Sequence, residues 1–207
     1  MRGWSFFFKL MKLSADQPIG VFDSGVGGLT VAHAIKSILP EEKIIYFGDT
    51  FHLPYGDKSS QSVRYYSRKI ADFLLGKSCK TVLIACNTAS ASAYQEVTQH
   101  VDGRAIVLNV IDPVVNRIFD KGKNGRVGVI GTKGTINSGT YKDKITRLAS
   151  STEVISKATP LLVPMIEEGF VTPGAVIIGA DSHSNTYGAL GAFGSDDDPF
   201  FGSDVLT

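Results

Sequence analysis

The chain is poor in cysteine: Cys79 and Cys86 are the only two in 207 residues. Two are too few for a disulfide framework or a cluster of thiolate ligands, and they fit a reducing, cytoplasmic compartment. Charge of one sign is also missing. Basic residues number 21 and acidic residues 20, a formal net charge of +1, so bulk electrostatics gives no reason to expect nucleic acid as a partner. No apolar run reaches the roughly 18 residues that a spanning helix needs, and no membrane is expected as a partner. His, Cys and carboxylates do not cluster at ligand spacings, so no metal site is expected. The Gly-x-Ser-x-Gly elbow of serine hydrolases is absent, as are the G-x-G-x-x-G spacing and the Walker lysine of nucleotide sites.

What remains is an ordinary globular composition, 43% hydrophobic and 20% charged, long enough for one large domain or two small lobes. The start, Met1 to Leu13, is basic and aromatic, but Lys9 and Lys12 interrupt it before a signal-length apolar stretch can build. It reads as an extension over residues 1–17, with Met11 as an alternative start.

Short β-branched runs then alternate with helical patterns. Ile19-Gly20-Val21-Phe22 leads into Asp23-Ser24-Gly25-Val26-Gly27-Gly28, followed by a helix with Leu29, Ala32, Ile35, Ile38 and Leu39 on one face and Pro40 as its stop. Ile44 to Phe47 precedes Gly48-Asp49-Thr50 and a loop holding Leu53-Pro54-Tyr55-Gly56. A second helix turns Val63, Tyr66, Ile70, Phe73 and Leu74 inward and is capped near Gly76. Thr81 to Ala85 is a third strand, ending at Cys86-Asn87-Thr88. Ile106 to Val110 and Arg126 to Ile130 are further strands, the latter entering Gly131-Thr132 and a helix from about Ser138 to Leu148. Val154-Ile155 and Val176-Ile177-Ile178 are candidate later strands, and Gly122 to Gly125 is the best interior boundary.

Strands buried on both faces and alternating with helices predict an α/β fold with a parallel, doubly wound sheet. In such a sheet the ligand crevice lies outside the carboxyl ends of the strands, where the polar punctuation falls. Cys86 stands where a strand gives way to a helix. The helix dipole there can lower a thiol pKa, while a cysteine at a strand end is also commonly just a small buried hydrophobe. Cys79 lies away from the crevice and reads as structural. The glycine turn after Asp23 offers amides to an anion, or is simply a tight turn capped by Asp23 or Ser24. His33 and His100 read as structural or solvated, and His52 sits beside the Tyr55 loop without a metal partner.

Taken together these motifs resemble the bacterial glutamate racemases over residues 18–170, about three-quarters of the chain. The resemblance rests on Phe22 to Val31, Tyr46 to Thr50, Leu53 to Gly56, Ile84 to Ala89, Gly131-Thr132 with Thr135, and Pro160 to Glu168, in collinear order. It implies a two-lobed, cofactor-independent enzyme that interconverts L- and D-glutamate for peptidoglycan, with glutamate as its partner and no cofactor. It makes residues 18–121 a first lobe and 122–170 part of a second. It assigns Cys86 as the catalytic cysteine that works on the D-enantiomer. Asp23, Ser24, Tyr55, Gly56, Asn87, Thr88 and Thr132 become substrate-binding positions, and Glu167 an auxiliary carboxylate. Thiol chemistry suits the task, since abstracting an α-proton needs a strong base in a site that excludes water.

Inversion also needs an acid on the opposite face. The family places it in a distal Cys-Thr-His motif, whereas no cysteine follows Cys86 here. From about Val171 the chain instead resembles the aconitase and isopropylmalate dehydratase family, through Asp181-Ser182-His183 and Asn185 to Phe193. The thiolates of an iron–sulfur cluster are missing, which argues against a hydro-lyase fragment. The expectation is therefore a racemase-like chain of impaired activity with a fused tail over residues 171–207. A non-catalytic glutamate-binding half-site is the alternative. Apolar faces left open would favour homo-oligomers.

Overall fold

The computed structural model describes residues 13–121 and 125–161. Glu167, the aconitase-like stretch, most of the N-terminal extension and the residues 122–124 at the expected boundary lie outside them.

Four parallel strands form the main sheet: β1 (Ile19–Asp23), β2 (Ile44–Gly48), β3 (Thr81–Ile84) and β4 (Ile106–Asn109), in the order β2-β1-β3-β4. The crossovers are α1 (Leu29–Ile38), α2 (Ser60–Gly76) and α3 (Asn87–Val101), and α4 (Ile111–Lys121) follows β4. The chain winds outward from β1 to β2, then returns to lay β3 on the other side of β1. That reversal opens a crevice between the carboxyl ends of β1 and β3.

Alternation along β1 builds two cores. Phe22, with Val82 and Ile84, packs beneath α2 through Val63, Ile70 and Leu74, and beneath α3 through Ala89, Ala93 and Val97. Val21 faces the other way, toward Ala32 and Ile35 of α1. The prediction of strands buried on both faces holds for β1 and β3, whereas β2 is half-buried throughout and Ile106 and Leu108 of β4 are exposed. The apolar stripe expected of α1 is likewise covered only in part. Ala32 is buried, but Leu29, Ile38 and Leu39 are exposed because α1 lies over the β2 side of the sheet without a second helix beside it among the described residues. Phe73 of α2 is also largely exposed.

A second, two-stranded parallel sheet pairs β5 (Arg126–Gly131) with β6 (Glu153–Ala158). The helix expected from about Ser138 to Leu148 is α6 (Thr140–Leu148), and a short helix that was not expected, α5 (Lys133–Asn137), precedes it. Gly139 between them has φ +70°, a left-handed conformation that favours glycine and breaks the helix. Val127, Val129, Tyr141 and Ile145 pack against Ile111 and Val115 of α4, which ties this sheet to the first.

Candidate active site

Parallel register brings every strand terminus to one edge. Asp23 pairs with Gly48, and Phe22 pairs with Ile84, so Asp23, Asp49 and Cys86 emerge side by side. The glycine turn after β1 is held very tightly. A Cβ on Gly28 would stand 2.7 Å from Cβ of Asp23 and 2.9 Å from Cβ of Ala85, and one on Gly48 only 2.4 Å from the Gly25 carbonyl oxygen. Tyr46 donates its hydroxyl to that same carbonyl at 2.9 Å. The Gly25 amide is consumed internally, donating to Asp23 Oδ2 at 2.9 Å. The Asp23 cap expected of a tight turn is therefore present, and the Gly25 amide is not offered to an anion.

Cys86 is the N-cap of α3: its Sγ accepts from the Ala89 amide at 3.5 Å. The thiol in turn donates to Ser24 Oγ at 3.5 Å, across the gap between β3 and β1. The helix terminus alone predicts a lowered thiol pKa, but the structure reverses that sign. Burial pushes the Cys86 thiol up to about 12, with the Asp23 charge adding to the rise. The hydrogen bonds from Ser24 and the Ala89 amide pull it back only in part. Desolvation wins because Cys86 is only 3% exposed, and its carboxylate neighbour repels a thiolate. Cys79 is buried at the opposite end of β3, under Gly20 and Leu74, as a structural reading requires.

Asp23 is fully buried, and its second oxygen, Oδ1, has no hydrogen-bond partner among the described residues. A buried carboxylate oxygen in that condition is costly unless a ligand supplies a donor or a cation.

The next wall comes from the loop after β2. Tyr55 is buried and donates its hydroxyl to Asp49 Oδ2 at 2.6 Å. His52 Nδ1 lies 2.8 and 3.0 Å from the two oxygens of the same carboxylate, and its ring stacks on Tyr66. Burial, followed by the hydrogen bond to Asp49, holds the Tyr55 phenol well above its ordinary range, so it stays a donor. This anchorage presents Gly56 to the second sheet, where an added Cβ would meet Cβ of Thr132 at 2.5 Å.

Three hydroxyls close the wall between the sheets. Thr88 Oγ1 lies 2.9 Å from Thr132 Oγ1 and 3.2 Å from Thr135 Oγ1, and the latter two are 3.0 Å apart. Beside them, Tyr141 of α6 donates to Asn87 Oδ1 at 2.6 Å. The eight expected site residues from Asp23 to Thr132 thus fall around the Cys86 edge, and Glu167 lies outside the described residues. Among the described residues no group of three or more His, Cys, Asp or Glu comes together to hold a metal, and no helix is long and apolar enough to cross a membrane.

No family model matches the chain. Individual relatives do. The glutamate racemase of Chlorobaculum tepidum is 44% identical over 172 residues, covering 83% of this chain and 63% of that protein. The solved glutamate racemase of Francisella tularensis, in complex with D-glutamate, superposes with a TM-score of 0.70 at 44% identity, over 76% of this chain and 58% of that one. That of Campylobacter jejuni gives a TM-score of 0.74 at 34% identity, over 84% of this chain and 75% of that one. The chain belongs to the glutamate racemase family. It spans about three-fifths of the length of the curated glutamate racemases it matches. These similarities lend no support to the aconitase-like reading of residues 171–194.

As a glutamate racemase relative, the chain also has site residues that the sequence reading did not single out. Thr135 was visible only as part of a motif, though a threonine three residues after another at a strand end is the spacing of a helix cap. Asp49 carried a signal too, a carboxylate at the same strand level as Asp23. Tyr141 carried none, since its pairing with Asn87 spans 54 residues and two sheets.

Proposed function

We propose that the crevice binds D-glutamate and that Cys86 exchanges its α-proton, one half of the family's racemisation. The observation that carries this is the buried, unpartnered Asp23 Oδ1 beside a thiol that is hydrogen-bonded to Ser24. A substrate ammonium seated on Asp23 would satisfy that oxygen. It would also cancel the carboxylate charge that raises the thiol, so substrate binding itself favours the thiolate. The thiolate then takes the α-proton, and the electron pair left at Cα delocalises into the adjacent carboxylate. Hydroxyl and amide donors on Ser24, Asn87, Thr88 and Thr132 hold the two carboxylates and the developing charge. Returning a solvent-exchanged proton from the same sulfur regenerates D-glutamate.

Inversion requires a proton from the other face. Cys79 is buried at the opposite end of β3, so among the described residues Cys86 alone offers a thiol base at this edge, and exchange of the α-proton of the D-enantiomer is the step we assign to it. In the same reading, residues 18–121 and 122–170 are the two lobes, the chain is cytoplasmic and needs no cofactor, and its product serves peptidoglycan synthesis. The raised thiol favours a second reading, a binding half-site that performs no chemistry.

Incubating the full chain with D- and L-glutamate separately in D2O tests both readings, with α-proton loss followed by NMR and inversion by optical rotation. The expected result is loss of the α-proton signal from the D-enantiomer alone, abolished by Cys86→Ala. Saturable glutamate binding without exchange selects the second reading. Full inversion would require a second acid outside the residues described.

A further inference from the structure

We propose that Tyr46 is a positioning residue for the base: through the Gly25 carbonyl it holds Ser24 against the Cys86 sulfur and so keeps in place the donors that a thiolate needs. The inference rests on the reading of Cys86 as the reactive thiol of the crevice, and its test reads that thiol without glutamate.

Tyr46 belongs to the core on the α1 side of the sheet, where it packs against the cluster of Val21, Ala32 and Ala85. Residues two apart on a strand share a face, so Tyr46 and Gly48 of β2 act together on the turn after β1. A Cβ on Gly48 would stand 2.4 Å from the Gly25 carbonyl oxygen, and the Tyr46 hydroxyl donates to that oxygen at 2.9 Å. The carbonyl is therefore seated in a socket, with bare backbone on one side and a donor on the other. A Cβ on Gly28 would meet the same hydroxyl at 3.1 Å, so Tyr46 also fills the inside of the turn. Burial, followed by the Asp23 charge, holds its phenol above the ordinary range, and it stays a donor.

Ser24 lies between two anchors. Before it, the Asp49 amide donates to the Asp23 carbonyl at 2.9 Å, and after it, Tyr46 holds the Gly25 carbonyl. Only the second anchor depends on a side chain. Ser24 meets the sulfur twice: its Oγ lies 3.5 Å from Cys86 Sγ, and its backbone amide also hydrogen-bonds the sulfur. Both contacts favour the thiolate, since a hydroxyl rotates to donate once the sulfur is charged and an amide donates in either state. With the Ala89 amide they are the groups that offset burial and the Asp23 charge. A backbone amide cannot swing to follow a displaced sulfur as a side chain can. The placing of the Ser24 backbone therefore sets the strength of that offset, and Tyr46 fixes the placing from outside the crevice.

The test is the rate at which iodoacetamide alkylates Cys86 at pH 8 in the full chain, with Cys79 resolved by peptide mapping and the fold checked by circular dichroism. In Tyr46→Phe the Gly25 carbonyl loses its donor and Ser24 drifts from the sulfur. Weakening a hydrogen bond to a charged group lowers the thiolate population about tenfold, the more basic thiolate recovers about threefold, and alkylation should slow about threefold. Tyr46→4-aminophenylalanine keeps a donor at the same ring position and should restore the parent rate. Gly48→Ala reaches the same carbonyl from the other side of its socket and should slow alkylation as Tyr46→Phe does. A hydroxyl that served packing alone would give the opposite sign, because a loosened turn admits reagent. Faster or unchanged alkylation in Tyr46→Phe or Gly48→Ala, or a 4-aminophenylalanine chain as slow as Tyr46→Phe, would overturn the proposal. Slower alkylation in a chain that exchanges no α-proton of D-glutamate leaves Tyr46 its role and refutes the proposed function instead.

Discussion

Replacing Asp23 by asparagine tests the electrostatics of the site most directly. The substitution keeps an oxygen able to accept from the Gly25 amide, as Oδ2 does at 2.9 Å, and removes only the charge. With Cys86 pushed up to about 12, on the order of one thiol in 10⁴ is ionised at pH 8. Two unit charges 4–8 Å apart interact by about 2–4 kcal/mol at an effective dielectric near 20, and 1.36 kcal/mol corresponds to one pKa unit. Asp23→Asn should therefore lower the thiol pKa by about one to three units, with burial holding the remainder. The thiolate population rises tenfold per unit, while its intrinsic nucleophilicity falls by about threefold per unit. The net expectation is alkylation of Cys86 by iodoacetamide at pH 8 about 3- to 40-fold faster than in the parent chain. Peptide mapping separates Cys86 from Cys79, and circular dichroism confirms that the fold is retained. An unchanged or slower rate in a folded variant would show that the carboxylate charge does not reach the sulfur, and the proposed coupling between ammonium binding and thiol ionisation would fail with it.

Stability should fall on the alkaline side. The folded thiol titrates above its ordinary value of 9.0, so its contribution is complete below about that pH and is lost as pH rises toward 12. Tyr46 and Tyr55, both raised chiefly by burial, act in the same direction, and urea midpoints measured across pH 8–11 should decline steadily. Gly28→Ala forces a Cβ to within 2.7 Å of Asp23 and 2.9 Å of Ala85, neither of which has a flexible end to yield. It should cost about 1–3 kcal/mol in chemical denaturation, and an unaltered midpoint would mean the turn is looser than described. Ile106 and Leu108 share one exposed face of β4, the edge strand among the described residues, so the chain should self-associate in sedimentation at micromolar concentration, and Ile106→Lys with Leu108→Lys should shift it toward monomer.

The parallel sheet was legible because βα alternation is a local signal, carried by runs such as Thr81 to Ile84 bounded by polar turns. Its covering was less so. Leu29 and Ile38 match the helical period as well as Ala32 does, and only the neighbours of α1 decide which of them is buried. At the site, Cys86 was conspicuous as a cysteine between a strand and a helix, yet its pKa had the opposite sign from its helix position. Helix dipoles are visible in a sequence, whereas the desolvation and the Asp23 charge that outweigh this one depend on strands 63 residues apart. Tyr141 and the three-hydroxyl contact were invisible for the same reason, since both join segments that meet only when the second sheet docks on α3. The five-residue helix at Lys133–Asn137 left no such signal, because it is too short to show a helical period and opens on the same Gly-Thr turn that ends β5.

Because the Cys86 sulfur is also the cap of α3, its protonation state is written into a helix of 15 residues. A thiolate accepts the Ala89 amide more strongly than a thiol does, so each proton the sulfur gives up tightens the first turn and each one it gains slackens it. Asn87 and Thr88 lie in that turn. The proton count at the sulfur and the firmness with which the neighbouring donors are held are therefore one variable, and the wall of the crevice is stiffest at the moment the base is charged.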